Sequence, residues 1–154
     1  KNNLDFYHAF NNNFFSSVNT INHAMPILKK NTGKIICISS ICAIEAIKDA
    51  PIAYSVAKSA LNNYVKSISF LLAKNKININ SIAPGNIYFK GSIWEKKLIK
   101  NKLKTKKYIY DNVPMNKFGN IQEIFKLCNY LSSDNCFSTG TTYVLDGGQS
   151  RAFK

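Results

Sequence analysis

Arginine is almost missing from this sequence. Its 154 residues include 21 basic ones, yet Arg151 is the single arginine, and 8 acidic residues leave a formal net charge of +13. A charge of that size invites a polyanionic partner. Base and phosphate recognition, however, favours the planar bidentate fork of arginine. Lysine spread among abundant Asn and Ile reads as solvated surface under a bias towards A- and T-rich codons, so no nucleic-acid partner is expected. An acidic or phosphate-bearing substrate stays open.

Metal-ligating residues are also few. His8 and His23 are the only histidines, and Cys37, Cys42, Cys128 and Cys136 contain no C-x-x-C pair. No zinc or other metal site is expected. Cys37 lies in the apolar run Ile35-Ile36-Cys37-Ile38 and reads as a small core residue; the four cysteines read as reduced thiols of a cytoplasmic protein. No apolar run approaches the ~20 residues of a membrane span. Lys1-Asn2-Asn3-Leu4-Asp5 has no signal-peptide character, so neither membrane nor export is expected.

What is present is a chain long enough for one domain with a core, 45% hydrophobic and 19% charged. Phe6, Phe10, Phe14, Val18, Ile21 and Met25 recur at three- and four-residue spacing and predict a helix over 4–30. Asn31-Thr32-Gly33 ends it, with Gly33 suited to a left-handed cap. The β-branched run 34–39 predicts a strand buried on both faces, and 41–51 reads as a loop. Ala57, Ala60, Leu61, Tyr64, Ile68 and Leu71 line one side of a helix over 53–74. A second strand follows at 77–82 and ends at Pro84-Gly85. The Lys-rich stretch 94–110 predicts one or two exposed helices. Asn120, with Glu123 three residues on, predicts a capping box for a helix over 121–131. A last strand runs over 141–145. Strands joined by helical crossovers imply an α/β fold, a parallel sheet with helices on both faces.

Ligands of such open sheets bind beyond the carboxyl ends of the strands. Ser39 and Ser40 end the first strand, and Pro84, Gly85 and Asn86 follow the second. Tyr54 opens the intervening helix, with Lys58 four residues on and on the same face. A free phenol is a weak base near neutral pH, but a cation within ~4–6 Å favours its ionised form. Lys58 is expected to depress the Tyr54 pKa in this way. Tyr54 could then exchange a proton with a substrate hydroxyl, and Ser40 could hydrogen-bond the same oxygen. Tyr-x-x-x-Lys alone is a weak signal in a chain this rich in both residues, and an exposed helical pair is the bland reading. The ordered set carries the argument.

That set is Gly33-Lys34-Ile35-Ile36-Cys37-Ile38-Ser39-Ser40, then Tyr54-Ser55-Val56-Ala57-Lys58, then Ile79-Asn80-Ser81-Ile82-Ala83-Pro84-Gly85, then Thr139-Gly140 through Asp146-Gly147-Gly148. It resembles the successive signatures of the classical short-chain dehydrogenase/reductase family, over essentially the whole chain. The resemblance implies a Rossmann-like doubly wound parallel sheet, a nicotinamide cofactor (NAD or NADP) and a small carbonyl or alcohol substrate. It implies Ser40, not Ser39, as catalytic serine and Tyr54 as general acid/base. Lys58 would tune the tyrosine and hold the nicotinamide ribose. The family's further catalytic Asn falls among Asn11, Asn12 and Asn13; counting from Phe6 and to Pro26 favours Asn13. Pro84, Gly85 and Ile87 would meet the nicotinamide, and 88–112 would be a lid over the substrate. The Thr that often follows that aliphatic contact is absent from Pro84-Gly85-Asn86-Ile87-Tyr88-Phe89.

No glycine-rich turn after a first strand is found, so the resemblance implies one partial domain over 1–154, the C-terminal catalytic portion, with the βαβ units for adenosine and pyrophosphate expected before Lys1. Within the family the run from Ser55 to Gln149 looks most like reductases of bacterial sugar and surface-polysaccharide pathways. A homodimer or homotetramer is implied for the complete protein. The competing readings are an inactive remnant or scaffold of this family and, on charge alone, a polyanion-binding module.

Overall fold

The computed structural model describes residues 3–151. The first helical stretch has three parts: α1 (Asn3–Phe10), a π-helical segment (Asn11–Phe15) and α2 (Ser16–Asn31). Then come β1 (Lys34–Ile38), α3 (Ile52–Ala73), β2 (Asn78–Pro84) and the short β3 (Ile87–Tyr88). The chain continues through α4 (Ile93–Lys100), α5 (Lys102–Asn112), β4 (Gly119–Asn120), α6 (Ile121–Ser132) and β5 (Thr142–Leu145).

β1, β2 and β5 form a parallel sheet in that order. Lys34 pairs with Asn78 through to Ile38 with Ile82, and Ser81 with Thr142 through to Pro84 with Leu145. Successive strand residues point to opposite faces. On one face Ile35, Cys37, Ile77 and Ile79 pack with Ile21 of α2 and with Leu61, Val65 and Leu72 of α3. On the other, Ile36, Ile82 and Tyr143 pack with Ile124, Leu127 and Leu131 of α6. This is the two-faced α/β sheet that the crossover pattern implies. Each fully buried Leu, Ile or Val contributes about 1.5–3 kcal/mol over its exposed state.

The buried polar residues of β2 are paired. Asn80 Nδ2 donates to the Ser138 carbonyl at 2.9 Å, and its Oδ1 accepts from Thr141 N at 3.1 Å. Ser81 Oγ meets Thr142 Oγ1 at 2.7 Å and donates to Asn62 Oδ1 at 3.2 Å. These bonds tie the α3 side and the approach to β5 onto the central strand.

Three local details differ from the sequence-based expectation. Thr32, not Gly33, takes the left-handed conformation, at φ 49°. Gly33 sits close under Leu28 instead: a Cβ there would push the Leu28 side-chain end aside, while Gly33 N–H donates to the Leu28 carbonyl at 3.0 Å. The π segment interrupts the predicted helix, packing the Phe14 ring on Tyr64 of α3 with centroids 5.9 Å apart. Residues 41–51 contain a 3-10 turn, Ile41–Ala43. The Lys-rich stretch resolves into two helices, broken where Asn101 caps α5 through its Oδ1 to Lys104 N at 2.9 Å. The predicted capping box of α6 is present in both directions, Glu123 N to Asn120 Oδ1 at 3.0 Å and Asn120 N to Glu123 Oε2 at 2.8 Å.

Candidate active site

The carboxyl ends of β1 and β2 open on the same edge of the sheet. β1 stops because Ser40 turns the chain: its Oγ accepts from Cys42 N at 3.2 Å and caps the 3-10 turn. α3 starts after Pro51, whose fixed φ suits a helix entry. Its first turn carries Tyr54, and its second brings Lys58 back to the strand end. Lys58 Nζ donates to the Ile38 carbonyl at 2.8 Å and lies 5.8 Å from the Tyr54 ring centroid. Ser40, Tyr54 and Lys58 are thus brought together.

The electrostatics run against one expectation. The Tyr54 pKa is held above its ordinary value, first by burial, which penalises the phenolate. A hydrogen bond from Ser40 opposes that shift, and the Cys42 thiol adds to it. Lys58 does not reverse it. Its ammonium is spent on the Ile38 carbonyl, and its own pKa is lowered by burial. Beneath it, burial pushes the Cys37 thiol up to about 11 against the pull of Lys58. Tyr54 is therefore a protonated phenol at neutral pH.

The remaining candidates fall around this centre. Ser39 is buried, with its Oγ lacking a hydrogen-bond partner among the described residues. Of the three competing amides, Asn11 and Asn12 are exposed and Asn13 is turned partly inward, in the π segment that packs against α3. Asn13 Nδ2 donates to the Ala9 carbonyl at 3.0 Å, within its own helix. Pro84 is buried at the end of β2. Gly85 N–H donates to the Leu145 carbonyl at 3.0 Å, and a Cβ on Gly85 would stand 2.8 Å from Asp146 Cβ. Only glycine lets the β2 and β5 ends approach so closely. Ile87 is drawn into β3, paired with Gly119 of β4. It lines a small cleft with Asn86, Val113, Met115 and Asp146, which none of Ser40, Tyr54 and Lys58 lines.

Sequence reasoning noted Asn86 after the second strand without giving it a role, and passed over Tyr108 and Gln149. Asn86 Nδ2 donates to Gln149 Oε1 at 2.7 Å, and Gln149 Nε2 donates to Tyr108 Oη at 3.4 Å. Asn86 and Gln149 each follow a strand's carboxyl end, which is a usable signal. Tyr108 sits on a helix far away in sequence and has none. Among the described residues no group of three or more His, Cys, Asp or Glu gathers as a metal site, and no helix is long and apolar enough to cross a membrane.

A family model described as Enoyl-(Acyl carrier protein) reductase matches residues 2–150. This chain belongs to the classical short-chain dehydrogenase/reductase family. An uncharacterized oxidoreductase of Thermotoga maritima is 31% identical over 129 residues, 82% of this chain and 49% of the relative. The 3-oxoacyl-[acyl-carrier-protein] reductase FabG of Buchnera aphidicola is 33% identical over 123 residues, 79% of this chain and 48% of that protein. The chain spans about half the length of the curated relatives it matches. In fold it resembles L-sorbose reductase of Gluconobacter frateurii, solved with NADPH and L-sorbose, with a TM-score of 0.88 at 24% identity, covering 99% of this chain and 61% of that one.

Proposed function

We propose that the full-length protein carrying this chain is an NAD(P)-dependent oxidoreductase that interconverts a carbonyl and a secondary alcohol. The observation that carries this reading is the meeting of Ser40, Tyr54 and Lys58 at one strand edge in a chain of this family. NADPH in a structure of the same fold supports NAD or NADP as cofactor. The donor set fits the nicotinamide end of such a group. Tyr54 and Lys58 offer a hydroxyl and an ammonium suited to ribose hydroxyls, and the Pro84–Ile87 turn offers backbone groups suited to a carboxamide.

When bound, the nicotinamide would supply or accept a hydride. Tyr54 Oη gives its proton to the carbonyl oxygen in reduction and takes it back in oxidation. Ser40 Oγ accepts from Cys42 N, and its single O–H, which faces Tyr54, turns to the same substrate oxygen as charge develops there. Lys58, fixed on the Ile38 carbonyl, keeps a positive charge beside the phenol. Asn13 stands as the organising amide on the facing helix. Because burial keeps Tyr54 protonated, the resting site is an acid, ready to protonate a carbonyl.

In the same reading α4 and α5, within 88–112, close over the substrate as a lid. The full protein is a cytoplasmic homodimer or homotetramer, supported by the apolar side chains that α3 leaves exposed, Val56, Phe70 and Leu71. The direct test mixes the full-length protein with NADH or NADPH and a panel of ketones. Consumption of the reduced nicotinamide only when a ketone is present is the expected result. No consumption with either coenzyme across the panel would contradict the reading.

A further inference from the structure

The lysines of this chain are not evenly spread. Eight of them fall within residues 90–107, where Glu95 is the only acidic residue. All eight are exposed. A codon bias acting along the whole chain leaves that concentration unexplained. Glu95 does not neutralise it, because its Oε2 accepts from Gly91 N at 2.7 Å. Lys107 pairs with Asp111 at 3.0 Å, and Lys97 lies 4.4 Å from the Trp94 ring centroid. The other lysines of the stretch form no ion pair among the described residues.

This stretch folds as α4 and α5, and α4 packs on α5 and on β3. The inner faces are fixed by contact. Trp94 stacks on Tyr108 with centroids 5.4 Å apart, and Thr105 and Ile109 are buried. At about 100° per residue, the face of α5 opposite Thr105 and Ile109 is centred on Leu103 and Tyr110. Lys106 and Lys107 border that line, one on each side. Leu103 is 84% exposed and Tyr110 71%. Across the Asn101 corner, Ile99 at the end of α4 is 81% exposed. Single exposed apolar residues are ordinary on any surface. Here three of them lie on the outward side of one two-helix unit, set among unpaired lysines.

We propose that the α4–α5 corner docks on an anionic membrane surface. Ile99, Leu103 and Tyr110 enter the headgroup boundary, and the flanking lysines meet lipid phosphates. An apolar line bordered by basic side chains is the pattern of a helix lying in the plane of the interface, and it requires no membrane-spanning segment. Lysine suits this partner. It acts as a point charge towards a diffuse layer of headgroups, and its long stem reaches from the apolar boundary to the phosphates. Tyrosine, apolar in its body and polar at its tip, sits well at that depth. A nucleic acid would satisfy the charge alone and leave Ile99 and Leu103 without a partner. The assignment stands independently of the oxidoreductase reading.

The test is cosedimentation of the full-length protein with vesicles of phosphatidylcholine, alone or mixed with phosphatidylglycerol, at low and at moderate salt. The anionic vesicles should bind about tenfold more tightly or better, with the margin shrinking as salt rises. Ile99→Ser with Leu103→Ser should weaken that binding on the order of tenfold and leave the Tm unchanged, since neither side chain is packed in the fold. Lys102→Gln with Lys106→Gln should weaken it by roughly fivefold per charge. Lys29→Gln with Lys30→Gln, on α2, should leave it as it was. Failure to bind anionic vesicles overturns the proposal. So does binding that survives the Ile99 and Leu103 changes, or that the α2 pair weakens as much as the α5 pair, since either result reduces the surface to general positive charge. Capture by duplex DNA in preference to the vesicles, with both offered at equal phosphate, overturns it too and makes the partner a nucleic acid.

Discussion

α3 and the α4–α5 pair are built differently. α3 buries Ala57, Leu61 and Val65 completely against β1 and β2. α4 buries none of its residues, and α5 buries only Thr105 and Ile109. Ile99 and Leu103 are 81% and 84% exposed. Tyr54 and Lys58 are therefore held by a packed core, whereas Tyr108 is held by one ring stack and a hydrogen-bond chain. A platform of the first kind fixes where a proton is transferred. A lightly packed pair of helices of the second kind can vary in sequence at small cost to the fold.

The sharpest way to break this contrast is to cut into each side. Leu61→Ala should cost the full-length protein about 2–5 kcal/mol in denaturant unfolding, as a cavity under α3. Ser40→Ala comes next: kcat should fall by a factor on the order of 10²–10³, the cost of losing one oriented donor, with KM nearly kept. A rise in KM alone would remove Ser40 from the transition state. The pH profile tests the raised Tyr54 pKa. Reduction needs the protonated phenol, so its rate should stay level through neutral pH and drop only on the alkaline side of an ordinary tyrosine. Oxidation needs the ionised form and should rise over that same range. An inflection near neutrality would mean Lys58 governs after all. Asn120→Ala, which removes one arm of the α6 capping box, should cost about 1 kcal/mol. Leu103→Ala should stay within about 0.5 kcal/mol. If it matched Leu61→Ala, the α4–α5 pair would be core and the contrast would fail.

Much of the platform was legible before any coordinates. β1 and β2 were readable because unbroken β-branched runs suit strands covered on both faces, and α6 because Asn120 and Glu123 announce a capping box. Tyr54 and Lys58 could be placed on one face because a four-residue step in a helix leaves no other choice. The π segment could not be read, since an apolar spacing of three and four survives one inserted residue. Gly33 was misread because the residue before it, Thr32, takes the left-handed turn that a glycine usually supplies. The direction of the Tyr54 shift was misread because spacing brings a cation near without revealing what else it binds. Lys58 is committed to the Ile38 carbonyl, and burial decides. The Asn86–Gln149–Tyr108 chain joins residues from three distant segments, and only the packed sheet brings them together.

The central claim is that Tyr54 is the proton donor, and Tyr54→Phe in the full-length protein tests it most directly. Turnover with NADH or NADPH and a reducible ketone should fall by about 10²–10⁴-fold. Binding of the reduced nicotinamide, followed by its fluorescence, should be nearly retained, because Lys58 and the Pro84–Ile87 turn stay in place. Turnover at the native rate, with the coenzyme bound as before, would contradict the account.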